Sequence, residues 1–281
     1  MMADLLPLFI KTLLLRPYVF LFLAVFFIAG RLLLGWRRTG LFFLVSWITA
    51  FLCEFSSTRT GFPFGFYYYT GSTVGEELYL SNVPFMDSLS FPFLLYASYC
   101  LALVFALPSA ASAGRLQLTL DPIIRTSWPV LVLTALFHTF IDVVIDPVAL
   151  RGDRWFLGLI YGYPEPGLYF GIPLANFLGW AIVALIAVSG YFMIDRSLPP
   201  LSFQNDGTAT ITALLLGCAL YYSVLLFNLA VTFWIGESFL GLVGLMIYLP
   251  PTVLLGLRLL NRLPTPSASC VKGDSREIRQ R

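Results

Sequence analysis

The sequence contains few charged residues: they make up 11% of its 281 positions, whereas hydrophobic residues make up 58%. Soluble domains are about one-quarter charged, so a chain of this composition cannot cover itself with polar surface in water. The net charge is only +2, which provides no broad basic surface and argues against a nucleic-acid partner. The composition therefore indicates an integral membrane protein.

Residue types that define several classes of membrane protein are also scarce. The only lysines are Lys11 and Lys272, and neither lies in a segment long enough to span the membrane, which excludes a retinal protein with a Schiff-base lysine. A single histidine, His138, disfavours hydroxylases and desaturases whose iron centres need many histidines. The four cysteines form no CxxC pair, so neither a disulfide framework nor a cysteine zinc site is indicated. Walker, GxSxG and HExxH motifs are absent too.

What the sequence does contain is a series of long apolar segments. A membrane-spanning helix needs about 20 mostly apolar residues. Seven segments meet this requirement: 17–36, 39–56, 85–107, 128–147, 172–194, 210–235 and 238–259. The sequence therefore predicts an all-α transmembrane bundle of about seven spans, with one domain over residues 1–263 and a polar cytoplasmic tail over 264–281. Residues 4–15 are apolar but short, and we expect them to lie in the membrane interface.

Two connecting segments, 57–84 and 148–171, are rich in glycine, proline and aromatic residues. They are too aromatic for ordinary solvent loops. We expect lid-like or re-entrant structures, which membrane proteins tolerate where the backbone is buried in protein or lines a cavity. The alternative for the second segment is an eighth span, formed together with the residues from 172 onward.

The distribution of basic residues predicts the orientation, because cytoplasmic connections carry an excess of Lys and Arg. Twelve of the 17 basic residues fall on the side of the C-terminus, which predicts an N-out, C-in protein of the cell membrane. Lys11 and Arg16 oppose this assignment at the first span. Ten of the 15 carboxylates and both aromatic linkers fall on the other side. We therefore expect the functional site at the extracytoplasmic end of the bundle.

The fourth span carries three ionisable residues, His138, Asp142 and Asp146, at intervals of four. This spacing places them along one stripe of a helix. Ionisable groups inside a span are costly and usually face the interior of a bundle. The stripe is either an acid–base or metal site, which we favour, or a polar cluster that only packs helices together.

Two more polar residues stand at the ends of spans and have two interpretations each. Glu54 either forms a structural ion pair with Arg59 or faces His138 and Asp142 across the bundle. Asn176 comes too late in the fifth span to cap the helix, so its amide either packs against other helices or contacts a substrate.

Three sequence blocks resemble the carotenoid biosynthesis integral-membrane protein family, which includes the CruF-type carotenoid hydratases. The blocks are Glu54 with the segment TGFPFGFYYYT at 60–70, Asp142 with Asp146, Pro147 and Trp155, and the segment YFGIPLANFLGW at 169–180. They lie within roughly residues 50–182, and the last is quite specific. The chain departs from the family where a Trp-rich stretch is reduced to Trp155 and Phe156, followed by an inserted-looking segment at 162–167.

The resemblance implies addition of water to a terminal C=C bond of an acyclic carotenoid, giving a tertiary alcohol, with no cofactor and no bound metal. Such a reaction needs a proton donor and a second group that orients water. A carboxyl in an apolar site can stay protonated and act as the donor. We expect Asp142 or Glu54 to donate the proton, and the other to act with Asp146, or with His138, as the base. Aromatic faces would stabilise the cationic intermediate.

The predicted catalytic residues are therefore Glu54, His138, Asp142 and Asp146. The predicted substrate contacts are Arg59, Tyr67, Tyr69, Trp155, Tyr169, Asn176 and Trp180. The expected partners are an acyclic carotenoid or another polyisoprenoid lipid, which would enter from the bilayer, and the membrane lipids. Two alternatives remain: a metal-dependent enzyme acting on a prenyl lipid, with the four catalytic residues as ligands, and a non-catalytic lipid or proton-coupled transporter.

Overall fold

The computed structural model describes residues 5–106, 122–199, 201 and 207–260. The described helices are α1 (Leu5–Leu15), α2 (Pro17–Thr60), α3 (Phe85–Ala106), α4 (Pro122–Arg125), α5 (Trp128–Ala149), α6 (Leu174–Arg196), α7 (Gly207–Trp234) and α8 (Ser238–Leu260). Six of them, all except α1 and α4, are long and apolar enough to cross a membrane. The predicted all-α polytopic bundle is confirmed. The predicted tail at 264–281 lies outside the described residues, so the division of the chain at 263 stays a prediction.

Helix α2 contains two of the predicted spans, because it folds back on itself at Gly35. This residue has φ 75° and ψ 163°, a backbone conformation that only glycine adopts readily. In a straight helix, residues 16 positions apart would be separated by about 24 Å. The rings of Phe27 and Phe43 instead lie 5.3 Å apart, centroid to centroid. Counting the two arms of α2 separately, the described helices provide seven spans.

Helix α3 forms the centre of the bundle and packs against α2, α5 and α7. Nearly all of its side chains are buried, whereas the other spanning helices expose one face each. Helices α2, α3, α5 and α6 alternate in direction. The end of α2, the start of α3, the end of α5 and the start of α6 therefore meet at one end of the bundle, which we call the lid end.

The two aromatic linkers fold over the lid end and pair with each other. Strand β1 (Tyr68–Tyr69) in the first linker forms an antiparallel pair with strand β4 (Tyr161–Gly162) in the second. A short hairpin of β2 (Tyr79–Leu80) and β3 (Val83–Pro84) leads from the first linker into α3. The linkers therefore form a lid. The alternative of an eighth span is wrong, because the second linker contains only one 3-10 turn (Gly152–Arg154) and β4.

The lid is fastened to the first helices by a buried ion pair. Arg16, between α1 and α2, binds both carboxylate oxygens of Glu77 at 3.1 Å, and neither side chain is exposed. The same guanidinium donates to the carbonyl of Leu157 in the second linker at 2.7 Å. Arg16 thus joins both halves of the lid. Its charge is neutralised there, which explains its position on the side with few basic residues.

The opposite end of the bundle is closed by a second buried charge cluster. Asp195, near the end of α6, accepts a hydrogen bond from Arg38 at 2.5 Å and pairs with Arg125 at 2.8 Å. These three residues come from α2, α4 and α6. Arg38 and Asp195 lie 16 and 19 positions from Glu54 and Asn176, at the opposite ends of the second arm of α2 and of α6, so the bundle carries two separate charged layers.

Candidate functional site

A cavity of about 140 Å³ lies beneath the lid. Its polar wall contains three carboxyl groups, from Glu54, Asp87 and Asp146, and the amide of Asn176. Each of these residues belongs to a different helix and stands within the first or last two turns at the lid end. The alternating directions of the four helices therefore bring together side chains that are far apart in the sequence.

The rest of the cavity wall is aromatic and aliphatic. Its aromatic members are Tyr18, Phe22, Phe64, Tyr67, Phe91, Phe93, Trp155, Tyr161, Tyr163, Trp180 and Phe227. An apolar cavity of this kind suits a hydrocarbon ligand, and the few polar groups in it define where chemistry can take place.

Asn176 holds two of the carboxyl groups predicted from the stripe on α5. Its amide nitrogen donates to Oδ2 of Asp142 at 2.9 Å and to Oδ2 of Asp146 at 2.5 Å. Asp146 lines the cavity, whereas Asp142 is fully buried behind it. One amide therefore fixes both carboxyl groups. Of these two, only Asp146 is placed to contact a ligand in the cavity.

Glu54 lies in the same cavity without any comparable support. Its side chain is only 3% exposed, and its Oε2 atom has no hydrogen-bond partner. A buried carboxylate without partners would be very costly, so this environment favours the neutral acid. The interpretation of Glu54 as the ion-pair partner of Arg59 is wrong. Arg59 donates to Oδ1 of Asn82 at 2.8 Å and covers the ring of Phe55.

His138 is close to the cavity but does not line it. The imidazole is fully buried, with its centroid 4.7 Å from the ring of Trp180 and 5.6 Å from that of Phe91. Phe91 and Trp180 stack on each other at 4.6 Å and themselves face the cavity. The three residues of the stripe thus have different positions. Asp146 lines the cavity, Asp142 lies behind it and binds Asn176, and His138 packs against the aromatic wall.

The pairing of β1 with β4 gathers four tyrosines above the carboxyl groups. The ring of Tyr67 lies 5.4 Å from Tyr69 and 6.4 Å from both Tyr161 and Tyr163. The hydroxyl of Tyr69 donates to Oδ2 of Asp87 at 2.6 Å, and the hydroxyls of Tyr67 and Tyr69 are 3.3 Å apart. Burial raises the pKa of Tyr67 well above its ordinary value. Tyr67 therefore remains a neutral phenol beside the carboxyl groups.

The predicted substrate contacts fall into two groups. Tyr67, Trp155, Asn176 and Trp180 line the cavity. Tyr69 does not line the cavity, but it is hydrogen-bonded to Tyr67 and Asp87, which do. Arg59 lies outside the cavity and is exposed beside the lid. Tyr169 also lies outside it and packs on Phe170 and Phe177.

Several cavity residues were not selected from the sequence, chiefly Asp87, Ser90, Tyr161, Tyr163 and Asn228. Asp87 had one available signal, since it is a lone carboxylate at the start of an apolar span. The two tyrosines gave none beyond their place in the aromatic linker. The positions of the four tyrosines in the lid depend on the pairing of β1 with β4, which no local sequence pattern reveals.

Metal coordination was one alternative for these residues. In the part of the chain that the structure describes, no three His, Cys, Asp or Glu side chains lie close enough together to hold a metal ion. The four residues considered as ligands are therefore not arranged as a coordination site, because His138 is turned into the aromatic wall.

The close contact between α6 and the first linker makes Gly179 sensitive to substitution. A Cβ atom at this position would lie 2.7 Å from Cα and 2.9 Å from N of Phe64, and backbone atoms cannot move aside as a side chain can. We expect Gly179→Ala to destabilise the protein by about 1–3 kcal/mol, measured by thermal unfolding in detergent. Gly256→Ala is the matched control, since nothing lies within 4 Å of a Cβ there. Equal stability of both variants would contradict the close packing.

Comparison with known proteins agrees with the character of this cavity. The family described as "Carotenoid biosynthesis protein" matches residues 15–250 of the chain. A curated relative, the bisanhydrobacterioruberin hydratase of Haloarcula japonica, is 28% identical over 219 residues, which is 74% of this chain and 67% of the relative. No solved structure matches the chain.

Proposed function

Since the chain belongs to the carotenoid biosynthesis protein family, we propose that it is a membrane-embedded hydratase that adds water to a terminal C=C bond of an acyclic carotenoid. One observation carries this proposal: two carboxyl groups in different environments, Glu54 and Asp146, share one buried aromatic cavity. Alkene hydration needs a group that gives a proton and another that takes one. The cavity supplies both without requiring any additional chemical group.

Glu54 is assigned as the proton donor. It has no hydrogen-bond donor or cation beside its Oε2 atom, so its neutral form is favoured and its proton is available inside the cavity. Transfer of this proton to the CH carbon of the terminal double bond leaves a tertiary carbocation on the neighbouring carbon. The electrons of the C=C bond form the new C–H bond, and Glu54 becomes a carboxylate.

Asp146 is assigned as the base that orients the water. Its carboxylate is fixed by Asn176 from one side, and the same amide ties it to Asp142. When the oxygen of water bonds to the cation, one water proton passes to Asp146 and the tertiary alcohol is complete. Asp142 does not reach the cavity, and it acts as a positioning residue that holds the Asn176 amide in place.

The aromatic wall has a direct role in this reaction. The tertiary cation lies among the aromatic side chains of Tyr67, Trp155 and Trp180, which line the cavity, and aromatic rings attract a positive charge. The wall also excludes bulk water, which would otherwise compete with the oriented molecule. A linear polyene can reach this site through the hydrocarbon layer, which suits a cavity enclosed by spanning helices.

The proposal is tested with purified protein in detergent, using lycopene as the probe and water enriched in oxygen-18. We expect a product heavier than lycopene by one labelled water per reacted end, detected by mass spectrometry. A reaction that continues in the presence of a chelator would rule out the metal-dependent alternative. Lycopene recovered unchanged, together with no labelled product from its singly hydrated derivative, would contradict the hydratase proposal and favour a transport role.

A further inference from the structure

Asp87 is a third carboxyl group in the cavity, and the acid–base pair of the proposed function does not use it. It stands in the first turn of α3, directly below the lid. Its Oδ2 atom accepts the hydroxyl proton of Tyr69 at 2.6 Å, and Tyr69 lies 3.3 Å from the hydroxyl of Tyr67. These three residues form a chain that begins at a carboxylate and ends in the cavity at Tyr67.

The direction of the hydrogen bonds in this chain follows from the number of protons. A phenol carries one hydroxyl proton, and that of Tyr69 is directed to Asp87. The bond between the two phenols must then be donated by Tyr67 to the oxygen of Tyr69. Tyr67 is left with no proton to offer to the cavity, so its hydroxyl oxygen presents only lone pairs there.

We propose that Tyr67 accepts a hydrogen bond from the attacking water, and that Asp87 and Tyr69 are positioning residues that keep it an acceptor. This inference rests on the proposed hydratase function. The water then donates one proton towards Asp146 and the other towards Tyr67. Both of its O–H bonds are occupied, so a lone pair of its oxygen is directed at the carbocation. The water oxygen bonds to carbon, and the proton leaves to Asp146, while Tyr67 keeps its own proton.

Asp87→Asn allows the direction of this chain to reverse with almost no change in shape, because asparagine brings a donor to a position where the carboxylate could only accept. The carboxamide can donate to the oxygen of Tyr69, which releases the Tyr69 proton towards Tyr67. Tyr67 then directs its own proton into the cavity and competes with the water instead of accepting from it. Tyr69→Phe breaks the same chain by removing its middle hydroxyl, and it serves as a second variant if the first does not fold.

The test follows the fate of the carbocation in D₂O. A captured cation gives deuterated alcohol, whereas a cation that loses a proton gives back carotene that has gained deuterium. With lycopene as the probe, we expect Asp87→Asn and Tyr69→Phe to raise the ratio of exchanged carotene to alcohol by at least about tenfold, because the cation still forms but water is poorly placed. A purely structural role would lower exchange and hydration together and leave the ratio unchanged.

The matched control is Tyr79→Phe, which removes another lid hydroxyl, bound to Thr73 at 2.8 Å and outside the chain. We expect its ratio to equal that of the parent protein. A parallel loss of exchange and hydration in Asp87→Asn and Tyr69→Phe, or an unchanged ratio in both, would overturn the inference. Absence of alcohol from the parent protein would instead contradict the proposed function, so the two failures are distinguishable.

Discussion

Replacement of Glu54 with glutamine is expected to reduce hydration by about 10²- to 10⁴-fold, the range that a positioned general acid supplies. Glutamine has nearly the same volume and is neutral, like the acid that it replaces, so the buried site is preserved while the transferable proton is lost. Deuterium exchange into the carotene should fall by the same factor, because no cation forms. The measurement is the initial rate of alcohol and exchanged carotene in D₂O.

The control for this substitution is Glu76→Gln, which makes the same chemical change at an exposed position of the lid. Its rate should match that of the parent protein. If Glu54→Gln kept its hydration rate, Glu54 would not be the proton donor, and the assignment would pass to another carboxyl group in the cavity. The combined loss of exchange and hydration distinguishes a donor from the water-orienting residues, whose variants should retain exchange.

The largest loss of stability is expected for Arg16→Met. Removal of this guanidinium leaves the Glu77 carboxylate buried without its counter-ion, and breaking a buried ion pair in this way costs about 3–5 kcal/mol. The bond to the Leu157 carbonyl disappears as well, so both linkers lose their shared anchor. Thermal unfolding of the purified protein in detergent measures the effect.

Two further variants separate the ion pair from a general effect of losing a positive charge. Arg37→Met removes an exposed arginine and should change the stability by less than about 0.5 kcal/mol. The double variant Arg16→Met/Glu77→Met should recover much of the loss, because apolar groups replace the unpaired charge. A double variant no more stable than Arg16→Met would show that the contacts to the second linker, and not the pairing, hold the lid.

The spans could be predicted from the sequence because apolar length is a direct physical requirement of the bilayer. The same rule predicted a break between the spans 17–36 and 39–56, and the structure has one, but its turn lies at Gly35, inside the end of the first predicted span. The lid was predictable only as two unusual linkers. Their pairing depends on contacts between residues about 90 positions apart, for which a single sequence gives no signal.

The site was only partly predictable, because spacing along a helix indicates which residues share a side but not which neighbours they meet. The four-residue spacing correctly placed Asp142 and Asp146 on one side of α5, since both reach Asn176. A stripe drifts by about 40° for each such step, so its members need not face the same neighbours. His138, two steps from Asp146, meets Phe91 and Trp180 instead of the cavity. The role proposed for Asp87 could be recognised only from the tertiary structure, because it depends on contacts with Tyr69 and Tyr67.

The pairing of β1 with β4 has a consequence for how related chains can vary. Tyr69 lies opposite Tyr161, so a single residue inserted between α2 and β1, or between α5 and β4, would shift the register and move the tyrosines away from the carboxyl groups. Insertions and deletions among relatives should therefore concentrate in the tips of the two linkers, near 71–76 and 163–167. The stretches that join each strand to α2 and α5 should keep their length.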